Sequence, residues 1–229
     1  MEYPHNRPYT ADDLVRIITL LRDPVNGCPW DKVQTHTSIR MNFLEEAYEA
    51  VDALDLDDPV LMCEELGDVL MQVAFHTCMA QETGRFTWEQ VCDGVCQKLI
   101  ERHPNIFGTQ PGYEGITDWD ALKNKEKGRP TLADDLQSVP RAMPALMRAA
   151  KLQKRAARHG AALQGADAAA LADAAENLQT AQPASAQAEQ AVGELLFAAA
   201  NLARQAGVDP EQALQKANEA FCTAAGPVA

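Results

Sequence analysis

Apolar and polar residues alternate along this chain with the period of amphipathic helices, and no segment carries the period-two pattern of a strand. Thr10 and Asp13 have capping-box spacing ahead of Leu14, Ile17, Ile18 and Leu21, which predicts a helix over 11–22. A loop containing Asn26-Gly27, Pro29 and Trp30 follows. A second helix is expected over 38–56, with an apolar stripe of Leu44, Ala47, Tyr48, Val51 and Leu54. Asp57-Asp58-Pro59 then stops one helix and starts the next, over 59–82, with Leu66, Val69, Leu70, Val73 and Phe75 inward. Gly84 closes it, and Thr87 with Gln90 caps a fourth helix that ends near Arg102, before Pro104. A Gly- and Pro-rich loop spans 108–115, and a short helix is expected over 118–127.

Gly128, Pro130 and Pro140 mark a linker at 128–140. It divides a helical domain at 1–127 from a second helical unit at 141–229. That second half begins with a helix from about Pro144 to His159 and continues as alanine-rich helix, broken near 179–185. It resumes at Asp209-Pro210-Glu211, where Asp caps and Pro takes the first helical position. Alanine favours helix but buries little apolar area per residue. An internal repeat is visible: Glu65-Leu66-Gly67-Asp68-Val69-Leu70-Met71 corresponds to Ala191-Val192-Gly193-Glu194-Leu195-Leu196-Phe197, and Thr87-Trp88-Glu89-Gln90 to Asp209-Pro210-Glu211-Gln212. The expected architecture is all-α, with two helix pairs, from one chain or from two subunits, closing a four-helix bundle.

Charge sharpens this picture. The formal net charge is −13. Residues 1–130 hold 23 acids against 12 bases, whereas residues 131–229 hold 10 against 8. Such a surface repels nucleic acid, so no nucleic-acid partner is expected. No apolar run is long enough for a membrane span, and the N-terminus lacks the basic-then-apolar order of a signal peptide. The six cysteines, none in a Cys-x-x-Cys pair, read as reduced thiols of a cytoplasmic protein.

The acids are patterned. Glu46 and Glu49, and likewise Glu65 and Asp68, are three apart and share a helix face. A tight turn between the two helices makes them antiparallel neighbours, able to bring four carboxylates together. Four such anions require a cation, and oxygen-only ligands favour Mg²⁺ or Mn²⁺ over Zn²⁺. Ordinary exposed helix glutamates are the alternative, but Gly67 between two acids in mid-helix weakens it. A di-iron bundle would use Glu-x-x-His, and here Glu49 and Asp68 stand where that histidine would be. Lys98, Arg102 and His103 close the fourth helix as a basic cluster; they could answer the helix dipole or hold phosphate. Trp30 could stack on a base or fill the bundle's mouth, and Lys32 shares its loop. No P-loop or Gly-x-Gly-x-x-Gly segment is present.

Taken together, Gly27-Cys28-Pro29-Trp30-Asp31-Lys32, Leu44-Glu45-Glu46-Ala47-Tyr48-Glu49, Glu64-Glu65-Leu66-Gly67-Asp68, Gly84-Arg85-Phe86 and Lys98-Leu99-Ile100-Glu101-Arg102-His103-Pro104 resemble the MazG family of nucleoside triphosphate pyrophosphohydrolases, in the all-α NTP pyrophosphatase superfamily. The resemblance continues through residues 138–146 and Lys151-Leu152-Gln153-Lys154. It implies Mg²⁺-dependent hydrolysis of an NTP or dNTP to a monophosphate and pyrophosphate, by a homodimer. By the same resemblance Glu46, Glu49, Glu65 and Asp68 would hold Mg²⁺, with Mn²⁺ as substitute, and Glu45 would support the site or orient water. Lys98 and Arg102 would hold phosphate, and Trp30 and Lys32 would border the nucleotide. The second copy departs from the motif: Ala172, Asp173, Glu176, Ala191 and Glu194 stand at its acidic positions, and Ala220 and Ala224 where Lys98 and Arg102 would be. It reads as a degenerate structural partner. A non-catalytic nucleotide or metal binder, or a helical adaptor, are the rival functions.

Overall fold

The computed structural model describes residues 2–5, 7–107, 127–128 and 131–226, and the chain divides into two compact units, Met1–Ile116 and Thr117–Ala229. The described residues form helices and no strand.

In the first unit, α1 (Ala11–Leu21) opens on the expected capping box: Asp13 accepts from the Thr10 amide at 2.9 Å, and Thr10 Oγ1 accepts from the Asp13 amide at 3.2 Å. Its Ile18 packs with Ile39, Ala74, Phe75, Cys78 and Met79 to make the core. The loop after α1 turns where a Cβ on Gly27 would lie 2.4 Å from the carbonyls of Leu21 and Asp23, so only glycine fits. A short 3₁₀ turn, Asp31–Val33, precedes α2 (Arg40–Asp55). α3 (Pro59–Glu82) starts as expected, Asp58 Oδ1 accepting from the Val60 and Leu61 amides. α4 (Trp88–Arg102) has the Thr87–Gln90 capping box, and a further turn, α5 (Pro104–Phe107), follows directly.

The buried face of α2 differs from the expected stripe. Ala50 and Ala53 are buried, whereas Tyr48, Val51 and Leu54 are about half exposed. On α3, likewise, Phe75 is buried with Ala74, Cys78 and Met79, but Leu66 and Leu70 stand open. α2 thus buries small side chains, Ala50 and Ala53, while its larger apolar groups stand outward.

In the second unit the expected linker holds a helix. α6 (Leu132–Gln137) is capped by Thr131 and Asp134 and fastened to α7 (Ala145–Arg158) through Asp135. The expected helix over 118–127 falls almost wholly outside the described residues. α8 (Ala168–Thr180), α9 (Ala186–Gln205) and α10 (Pro210–Ala225) complete the unit. Its core is mostly alanine: Ala156, Ala166, Ala174, Ala191, Ala198 and Ala200. Buried amides reinforce that thin core, Gln153 Nε2 donating to the Phe197 carbonyl at 2.8 Å and Asn201 Nδ2 to the Ala166 carbonyl at 2.6 Å. The exits of α3 and α9 are alike. In each a left-handed glycine, Gly84 (φ 66°) or Gly207 (φ 72°), lets the next amide reach back to a helix carbonyl, Arg85 to Ala80 and Val208 to Ala203, both at 2.9 Å.

Candidate active site

The carboxylates meet between α2 and α3. Oxygens of Glu46, Glu49 and Glu65 all lie within 4.8 Å of one another. The helices are antiparallel: Glu49, later on α2, reaches Glu65, and Glu46, earlier, reaches Gln72, whose Nε2 donates to Glu46 Oε1 at 3.3 Å. Asp68 stands outside the triplet but close enough for its charge to raise both Glu46 and Glu65. Glu45 is exposed beside them, and its charge adds to the rise at Glu46.

Desolvation is the largest cause holding Glu46 and Glu65 above the ordinary carboxylate range, followed by mutual repulsion; for Glu46, the hydrogen bond from Gln72 acts the other way. A cation relieves both costs together. Only oxygen donors are present in the group, which suits a hard divalent ion. Gln72 strengthens the fit. Its side chain is buried, its amide nitrogen fixes Glu46, and its carbonyl oxygen has no protein partner.

The other expected residues are dispersed. Trp30 is 56 % exposed and meets the edge of Phe75, ring centroids 6.4 Å apart. It is therefore not a core residue. Lys32 lines a separate cleft with Thr19, Arg22, Asp23 and Glu82, towards the C-terminal end of α3. Lys98 is exposed and Arg102 half-buried on the last turns of α4.

Arg22, His36 and His76 also position this region, and of these only His76 lies within reach of helical spacing in the sequence. Arg22, buried at the end of α1, donates through Nε and Nη2 to both oxygens of Glu82, at 2.6 and 2.7 Å. Its Nη1 donates to the carbonyls of Asp31 and Gln34, at 2.7 and 3.2 Å. One guanidinium thus ties the loop bearing Trp30 and Lys32 to α3. Lysine cannot reproduce that fork. Arg22→Lys is expected to lower stability by about 2 kcal/mol, to be measured by urea unfolding; an unchanged midpoint would remove Arg22 from this role. His36 and His76 are joined Nδ1 to Nδ1 at 2.9 Å, so one ring donates and the other accepts. Burial, and then the His36 charge, hold His76 below the ordinary histidine value. With Gln72, His76 continues the Glu65–Asp68 face at 3- and 4-residue steps. That polar stripe on an apolar helix was the available signal.

Comparison with known proteins follows the same residues. Residues 34–107, which carry all the clustered carboxylates, match the MazG nucleotide pyrophosphohydrolase domain. Over 219 residues the chain is 42% identical to the nucleoside triphosphate pyrophosphohydrolase of Escherichia coli strain K12, covering 92% of this chain and 83% of that protein. Over 212 residues it is 38% identical to the nucleoside triphosphate pyrophosphohydrolase/pyrophosphatase MazG of Thermotoga maritima, covering 92% of this chain and 82% of that one. Over 154 residues it is 35% identical to a nucleoside triphosphate pyrophosphohydrolase of Mycobacterium tuberculosis, covering 66% of this chain and 46% of the relative.

Proposed function

Since the chain belongs to the MazG nucleotide pyrophosphohydrolase family, we propose how its residues carry out the reaction it catalyses, hydrolysis of a nucleoside triphosphate to a nucleoside monophosphate and pyrophosphate. The observation that carries the reading is the triplet Glu46, Glu49 and Glu65 within 4.8 Å, inside the matched segment.

Glu46, Glu49 and Glu65, with Asp68 beside them, would hold Mg²⁺, for which Mn²⁺ could substitute. When bound, the ion supplies countercharge for the triphosphate and polarises the α-phosphoryl group. Gln72 keeps Glu46 turned into the cluster. Glu45 orients the attacking water and accepts its proton as the water oxygen bonds to the α-phosphorus. The bond to the bridging oxygen breaks, and pyrophosphate leaves with the electron pair. Lys98 and Arg102 hold the departing phosphates, where charge accumulates. Trp30 offers an exposed ring face to the base.

The acting species is a homodimer in the cytoplasm. Tyr48, Val51, Leu54, Leu66 and Leu70 form an apolar exposure on α2 and α3, and a second copy covers it best. The second unit is a degenerate tandem repeat, a reading supported by the matching exits of α3 and α9. Asp173 and Glu194 still line one cleft there. Among the described residues, however, the only group of three or more potential ligands is in the first unit.

The test is pyrophosphate release from a panel of NTPs and dNTPs, with Mg²⁺ and with EDTA. Release that requires the metal and ranks the substrates supports the reading. No turnover on any nucleotide, with either Mg²⁺ or Mn²⁺, would leave a binding protein.

A further inference from the structure

The motif Lys151-Leu152-Gln153-Lys154 has no part in the proposed chemistry, yet it leads to a second site. Lys151 and Lys154, three apart on one face of α7, line a cleft of about 610 Å³ with Arg204, from the last turn of α9. None of the three cations has an ion-pair partner among the described residues. That is notable in a chain of net charge −13.

The acids nearby are already engaged. Asp209, which also lines the cleft, accepts from the Glu211 and Gln212 amides at 2.9 and 3.1 Å. Glu211 accepts from the Met147 amide at 3.2 Å. Arg204 is held in advance. Its Nε donates to Asn201 Oδ1 at 3.0 Å, and Asn201, 2 % exposed, is itself anchored on the Ala166 carbonyl at 2.6 Å. A buried amide thus orients the guanidinium and leaves its terminal nitrogens for a ligand. Met147 and Val208 add apolar wall.

We propose that this cleft binds a polyphosphate anion, as free pyrophosphate or as the phosphate chain of a nucleotide. Three converging cations match an anion of several charges, and Arg204 can meet a phosphate with two parallel hydrogen bonds. The ligand needs no metal here, because the protein supplies the countercharge.

That independence of metal is the handle for a test. In EDTA the carboxylate cluster of the first unit repels phosphates, while the cationic cleft still attracts them. The full-length chain would be titrated calorimetrically in EDTA with sodium pyrophosphate and, separately, with a non-hydrolysable α,β-methylene nucleoside triphosphate. One site per chain is expected, weakening as salt is raised. Lys151→Gln and Lys154→Gln, at exposed positions, should each cut the affinity about tenfold, as loss of one charge-assisted contact does. Arg204→Gln should cut it further. Tighter binding of the analogue assigns the site to nucleotides; equal or tighter binding of pyrophosphate assigns it to the free anion. Absence of binding in EDTA, or binding that neither lysine variant weakens, would overturn the proposal.

Discussion

Glu49→Gln is expected to cut pyrophosphate release by about a thousandfold, some 4 kcal/mol of lost transition-state stabilisation, while leaving the chain folded. Glutamine keeps the size of the side chain but removes one of three charges gathered within 4.8 Å. Without metal, the same substitution should have the opposite effect on stability. Burial first, then Asp68 and Glu49, hold Glu46 above its ordinary value, against the hydrogen bond from Gln72. A carboxyl whose folded pKa is raised favours the fold most below the ordinary carboxylate range, and that contribution is lost as pH rises through the raised value. In EDTA the wild type should therefore lose stability over that window, and Glu49→Gln should lose less. Added Mg²⁺ should stabilise the wild type more than the variant. Thermal unfolding across pH, with and without metal, reads all three effects. Undiminished turnover in the variant would remove Glu49 from the site.

Asp135→Ala should be the most damaging single change to the second unit, costing about 3–5 kcal/mol. The Asp135 side chain is fully buried, with Arg155 Nη1 at 2.9 Å, Arg158 Nη2 at 2.6 Å and His159 Nε2 at 3.1 Å. Arg155 also donates to the Asp135 carbonyl at 2.6 Å and to the Ser138 hydroxyl. Removing the carboxylate takes an ion-pair partner from two guanidinium groups, one of them almost wholly buried. An alanine-rich core has little apolar packing to compensate. Asp135→Asn, which keeps shape and some hydrogen bonding, should cost less than alanine. Chemical denaturation ranks the three proteins. If both variants unfold with the wild type, the buried cluster is not what holds α6 to α7.

Features set by neighbours in sequence were legible before the structure. Asp58-Pro59 and Thr87-x-x-Gln90 place the starts of α3 and α4 because caps act over three residues. The carboxylates were legible for the same reason, helical spacing and a short turn. α2 starts two residues later than expected, at Arg40 and without a side-chain cap, because Ser38 exchanges hydrogen bonds with Thr35 in a preceding turn. Helix α6 hid in a segment dense in Gly and Pro, although Thr131-x-x-Asp134 repeats the capping box that identified α1. Periodicity located apolar stripes on α2 and α3 but not which of their members reach the core: Leu66 and Leu70, expected inward, stand open, as do Tyr48, Val51 and Leu54. Arg22 with Glu82, 60 residues apart, and His36 with His76, 40 apart, depend on tertiary placement that no local pattern encodes.

The middle of α3 shows three differently occupied faces. Ala74, Phe75 and Cys78 turn to the core, Glu65, Asp68, Gln72 and His76 form the polar stripe, and Leu66 and Leu70 stand open. A helix on a protein surface ordinarily keeps one side free to vary, and drift accumulates there. This one has little spare surface beyond Gly67, where an added Cβ would meet nothing, so a saturation library across 65–76 should be depleted on all three faces, each for a different cause. Losses on the first face would track folding yield, on the second turnover per folded molecule, and on the third the dependence of activity on protein concentration. One segment would thereby separate three kinds of mutational intolerance in a single selection.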